Sequence, residues 1–105
     1  MSINTQISTS AKNYADSLIQ IYKDGIMSCD DILNNLNIIK EITTNSTELV
    51  DVMINPAISN KTKFEIIDNV FSNQISDKLI NFLKVLIDKK RFHELNQIIE
   101  AFSAD

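Results

Sequence analysis

The residues able to do chemistry in this 105-residue chain are few and scattered. One histidine, His93, stands beside Glu94, and the single cysteine, Cys29, precedes the acidic pair Asp30-Asp31. A metal centre needs several His, Cys, Asp or Glu ligands that converge, and no such spacing occurs. Nucleophilic catalysis needs a Ser or Cys activated by a base, and Cys29 and His93 lie 64 positions apart. A cysteine alone in a small helical chain reads as apolar filler. No glycine-rich loop exists to cradle a phosphate. Asp24 and the pair Asp30-Asp31 are sufficiently explained as charges near helix ends, where a carboxylate opposite the backbone dipole is favourable. The expectation is a protein that is not an enzyme, with no cofactor and no metal.

The elements that would carry any other function are helices. The chain has one Gly and one Pro, far below the usual roughly 7% and 5%, so a turn-rich β-sandwich is hard to build. Its 11.9 kDa fits one domain, and a single cysteine excludes a disulfide-stapled fold. Fourteen acidic residues against ten basic ones argue against nucleic acid, which demands a dense Lys/Arg face. Apolar runs fall short of the roughly 20 residues that span a bilayer, and Met1-Ser2-Ile3-Asn4-Thr5-Gln6 has no basic and apolar regions of a signal peptide. The reading is a soluble, intracellular domain with no direct membrane insertion.

Apolar residues recur at steps of three and four along almost the whole chain. Helix one carries Ile7, Ala11, Tyr14, Ala15, Leu18 and Tyr22 and stops at Gly25 as its C-terminal cap. Helix two begins at Ser28, with Asp31 three residues on, and carries Ile32, Leu33, Leu36 and Ile39 before the polar stretch Thr43-Thr44-Asn45-Ser46 ends it. Helix three, about 47 to 53, takes Asn45 or Ser46 as its cap, turns Leu49, Val50, Met53 and Ile54 inward and closes at Asn55-Pro56. Ser59 caps helix four, with Phe64, Ile67, Val70 and Phe71 inward and Lys61, Lys63, Glu65 and Asp68 toward water; Ser72-Asn73-Gln74 breaks the pattern. Ser76 caps helix five, whose Leu79, Phe82, Leu83, Leu86 and Ile87 form the cleanest amphipathic stripe, and helix six carries Phe92, Leu95, Ile98, Ile99 and Phe102. Six helices with short linkers predict an all-α fold, a compact six-helix bundle. The chain stops at Ser103-Ala104-Asp105 with no polar tail, which reads as a domain cut from a longer protein.

Some apolar residues lie off the inward stripes. At 100° per residue Val85 falls about 130° from the stripe of helix five, among Asn81, Lys84 and Asp88. On helix one, Tyr14 and Ile21 lie at the stripe's edge and Ser17 just beyond it. Scattered exposed apolar side chains are normal, and the sharper reading is a groove for an amphipathic partner helix.

Three segments resemble the delta subunit of F-type ATP synthases, the oligomycin-sensitivity-conferring protein family. They are the Tyr-Ala element in Ala11-Lys12-Asn13-Tyr14-Ala15-Asp16-Ser17-Leu18, the Asn-Pro-x-Ile segment with a following lysine in Asn55-Pro56-Ala57-Ile58-Ser59-Asn60-Lys61-Thr62-Lys63, and the Asn-Phe-Leu element of residues 81–92. The resemblance implies the N-terminal, six-helix domain of that family, over residues 1–105. It implies a non-catalytic stator part that binds N-terminal helices of alpha subunits on top of the catalytic head and holds it against rotor torque during proton-driven ATP synthesis. Carried over by position, Tyr14, Ser17, Leu18 and Ile21 on helix one and Asn81, Phe82, Val85 and Asp88 on helix five form or flank the binding groove; Ser17 stands where the family often has Ala. The family's C-terminal region, which reaches the peripheral-stalk b subunits, is absent from this chain. The implied location is the cytoplasmic or stromal face of an energy-transducing membrane, as a peripheral protein. Two other readings stand beside it: an unrelated helical adaptor for some amphipathic peptide, and an RNA-binding bundle. The second would rest on Lys84, Lys89, Lys90 and Arg91, which are interleaved with Asp88.

Overall fold

A computed structural model of the protein describes residues 7–104. The N-terminal residues 1–6, where the leader question was posed, and the terminal Asp105 lie outside the described residues. Among the described residues there are six α-helices, one short 3-10 turn and no strand: α1 Thr9–Lys23, α2 Cys29–Asn45, α3 Thr47–Ile54, α4 Asn60–Phe71, α5 Asp77–Asp88, the turn Phe92–Glu94 and α6 Leu95–Ala104. The all-α expectation holds. The backbone groups into two units, one formed by residues up to 33 together with those from 94 onward, the other by residues 34–93.

In the first unit α1 packs on α6. Ala11, Ala15 and Leu18 of α1 are buried, as are Leu95, Ile98, Ile99 and Phe102 of α6 at the i, i+3, i+4 and i+7 spacing of an amphipathic helix. Burial of each large aliphatic side chain contributes about 1.5–3 kcal/mol. Ser8 does three jobs at the start of α1. Its Oγ accepts from the Ala11 amide at 3.0 Å and donates to Glu94 Oε1 at 2.8 Å, and its own amide donates to Gln97 Oε1 at 2.8 Å. The carboxylate of Glu94, 4% exposed, is thereby matched. At the other end, Gly25 sits at φ 74°, its amide donates to Tyr22 O and the Ile26 amide to Ile21 O. This pair of bonds is a Schellman turn, and glycine takes the left-handed position without steric cost.

In the second unit α4 packs on α5. Leu36, Ile39, Leu49, Met53, Ile67, Phe71, Leu79, Leu83 and Leu86 form its core. The caps expected at Ser59 and Ser76 are in place: Ser59 Oγ accepts from the Thr62 amide at 3.2 Å and Ser76 Oγ from the Leu79 amide at 3.4 Å; Ser46 stands at the cap position of α3 but makes no side-chain cap bond. Asn35 Oδ1 accepts from the Ser76 amide at 2.7 Å, which ties α2 to the start of α5. Asn55, extended at ψ 116°, ends α3 before Pro56, and its Oδ1 accepts from the Ala57 amide at 2.9 Å.

Helix two ends at Asn45, inside the polar stretch of residues 43–46, and buried Thr43 turns its hydroxyl back onto Ile39 O and Lys40 O within the helix. Three details depart from the sequence reading. Ile54, expected inward, is 47% exposed, since it falls about 100° beyond Met53 on a helix that buries Leu49 and Met53. Lys63, expected in water, is 6% exposed, because it shares the spacing of four that joins Ile67 and Phe71. Phe92 is buried in the short turn ahead of α6 rather than in α6 itself.

Candidate partner-binding faces on α1 and α5

On α1 the polarity boundary is gradual. Ala11, Ala15 and Leu18 are buried, Tyr14 and Ile21 are half-buried, and Ser17 is exposed with its hydroxyl donating back to Asn13 O at 3.3 Å. Tyr22, read as part of the inward pattern, is 50% exposed and extends this apolar edge toward the C-terminal end of the helix. Leu18 is wholly inside, so on this face Tyr14, Ser17 and Ile21 offer the accessible surface.

On α5 the boundary is sharp. Six of its twelve residues are buried, namely Leu79, Ile80, Phe82, Leu83, Leu86 and Ile87. Val85 stands on the opposite side at 44% exposure, between exposed Asn81 and Asp88 at the four- and three-residue steps. Phe82 is buried at 8% and belongs to the core beneath this face. Next to Val85, Lys84 is held in place: its Nζ lies 2.9 Å from Asp68 Oδ1 and 3.0 Å from Oδ2, and 5.8 Å above the Phe64 ring. That contact turns the lysine toward α4 and away from Val85. A partly exposed ion pair of this kind contributes at most about 1 kcal/mol; its use is to fix where the charge points.

Among the described residues no group of three His, Cys, Asp or Glu side chains gathers in a way that would hold a metal ion. Cys29 is a free, half-buried thiol. No helix among the described residues is long and apolar enough to cross a membrane. Sequence reasoning located Val85 by helical phase alone; it missed the exposure of Tyr22, because a tyrosine at stripe spacing counts as inward until its neighbours are known.

The class that emerges is an all-α protein whose candidate site is helix surface rather than a cluster of reactive groups. A family model described as ATP synthase delta (OSCP) subunit matches residues 11–104, and the chain belongs to that family. It is similar to the ATP synthase subunit delta of Acetivibrio thermocellus, 32% identical over 89 residues that cover 85% of this chain and 49% of the relative. It is similar to the chloroplastic ATP synthase subunit delta of Gracilaria tenuistipitata var. liui, 33% identical over 102 residues, 97% of this chain and 55% of the relative. A Prochlorococcus marinus subunit delta is 30% identical over 89 residues, 85% of this chain and 49% of the relative. The chain thus spans about half the length of these curated relatives. No solved structure matches it.

Proposed function

We propose that this chain is the head-binding part of an ATP synthase stator subunit and that it acts without catalysis. Its partners are the N-terminal helices of alpha subunits on the catalytic head, which contact the α1 face of Tyr14, Ser17 and Ile21, with Leu18 buried beneath it, and the α5 face of Asn81, Val85 and Asp88, with Phe82 buried beneath it. Rotor torque turns the head unless something ties it to the membrane sector, so the tie must dissociate slowly. An apolar helix-in-groove contact has that property, since most of its free energy resides in a few desolvated anchors. None of the residues described is assigned to the peripheral-stalk b subunits. In this role the protein is peripheral, on the cytoplasmic or stromal side, and serves proton-driven ATP synthesis.

The observation that carries the reading is Val85, an apolar side chain 44% exposed in the middle of a face that is otherwise polar. At 44% exposure it lies largely outside the core, and a partner helix laid on this face would take it out of water. Titration calorimetry with an alpha-subunit N-terminal peptide tests this. Val85→Asp places an unpaired carboxylate in the contact and is expected to weaken binding more than about a hundredfold, roughly 3 kcal/mol, while the melting temperature stays within a degree or two of the parent. An unchanged affinity would remove Val85 from the interface.

A further inference from the structure

The second unit holds a cleft of about 170 Å³ lined by Met53, Ile54, Pro56, Ile58, Asn60, Lys63, Ile87, Lys90, Phe92 and His93. Its chemistry is one-sided. Two lysines and a histidine line it, and no Asp or Glu does. Lys63 is 94% buried on the 6% exposure of its residue, and its side chain makes no hydrogen bond or ion pair with another described residue. A lysine packed among apolar side chains with no acidic neighbour lining the cleft offers an anion a partner of opposite charge that nothing else there takes up.

Two further features point the same way. The start of α4 opens at the cleft through Asn60, and Ser59 already satisfies the amides of Thr62 and Lys63 from outside the helix; the partial positive charge of that helix end adds to the lysines. The remaining wall, Met53, Ile54, Pro56, Ile58, Ile87 and Phe92, is apolar and suits a carbon skeleton rather than a hydrated ion. Cavities of about 150 Å³ accept a ligand of benzene size.

We propose that this cleft binds a small organic oxyanion, a carboxylate or phosphate group carried on a compact apolar body, with the oxyanion on Lys63 and the body against Ile58, Ile87 and Phe92. The site gives a purpose to the segment from Asn55 to Lys63 that the α1 and α5 faces leave unused. It does not depend on the stator reading.

The test is a set of amide-resolved NMR titrations of the 105-residue chain with benzoate, phenyl phosphate, inorganic phosphate and neutral benzyl alcohol. Benzoate and phenyl phosphate are expected to give saturable shifts at Ile58, Asn60, Lys63 and Lys90 with dissociation constants of roughly a millimolar. Inorganic phosphate and benzyl alcohol are expected to bind at least about tenfold more weakly, each lacking one half of the ligand. Lys63→Met, which keeps the buried volume and removes the charge, is expected to lower benzoate affinity at least about tenfold; should that variant fail to fold, exposed Lys90→Gln is expected to lower it about threefold. The proposal is overturned by shifts that never saturate, by inorganic phosphate or benzyl alcohol binding as well as benzoate, or by an affinity that neither lysine substitution alters.

Discussion

α1 and α5 are built to one plan and diverge where it matters. Each starts at a serine whose Oγ accepts from the amide three residues on, at 3.0 Å for Ser8 and 3.4 Å for Ser76. Each ends in a Schellman turn: Gly25 to Tyr22 O and Ile26 to Ile21 O in α1, Lys90 to Ile87 O and Arg91 to Leu86 O in α5. The left-handed position is glycine at φ 74° in one and lysine at φ 60° in the other. Three residues of α1 are buried and six of α5. The lesson is one of separability. On α1, core and candidate contact surface grade into each other through half-buried Tyr14 and Ile21, so any substitution there disturbs both. On α5 a full core stripe and an isolated Val85 are on opposite sides, so fold and binding can be changed one at a time.

The largest effect expected from that difference is on stability. Leu83→Ala, at a wholly buried α5 position, is expected to cost about 2–5 kcal/mol in chemical denaturation; a cost below about 1 kcal/mol would mean that α5 is not the better-anchored helix. Tyr14→Ala comes next. It should lose about 1–2 kcal/mol of stability from its half-buried ring and weaken binding of the alpha-subunit peptide as well, and loss of only one of these would show that the α1 boundary is as sharp as that of α5. Gly25→Ala meets no atom within 4 Å of an added Cβ, so its cost is backbone alone, about 1 kcal/mol in the melt. Lys90→Gly is the mirror experiment: relief of the left-handed lysine should stabilise the protein by about 0.5–1 kcal/mol. A destabilising Lys90→Gly would show that the lysine side chain contributes more than its backbone position costs.

Much of this was legible in the sequence, and the exceptions have physical causes. The caps at Ser28, Ser59 and Ser76, the stop at Gly25 and the break at Pro56 are local: each depends on a side chain and a backbone group within four residues of each other. Val85 was legible because helical phase is local too. The cap that Ser8 makes on Ala11 is as local as the others, whereas its bonds to Glu94 and Gln97, 86 and 89 positions away, had no local signal. The exposure of Ile54 was hidden because α3 is eight residues long and apolar on most sides, which leaves its phase undetermined. Lys63 is the instructive miss. Its spacing of four to Ile67 and Phe71 placed it on the buried stripe, and its residue type sent it to water; spacing was the better guide. The left-handed Lys90 had no signal, because nothing in a run of charged residues marks which one takes the glycine position.

The proposed contact with alpha-subunit helices involves the α1 face and, separately, the α5 face. Its most direct test is amide shift mapping of the chain titrated with the alpha-subunit N-terminal peptide. The account predicts that the largest perturbations fall on Tyr14, Ser17 and Ile21 and on Asn81, Val85 and Asp88, and that the amides of α3 and α4 change little. Perturbations centred on α3 or α4, or none at saturating peptide, would contradict it.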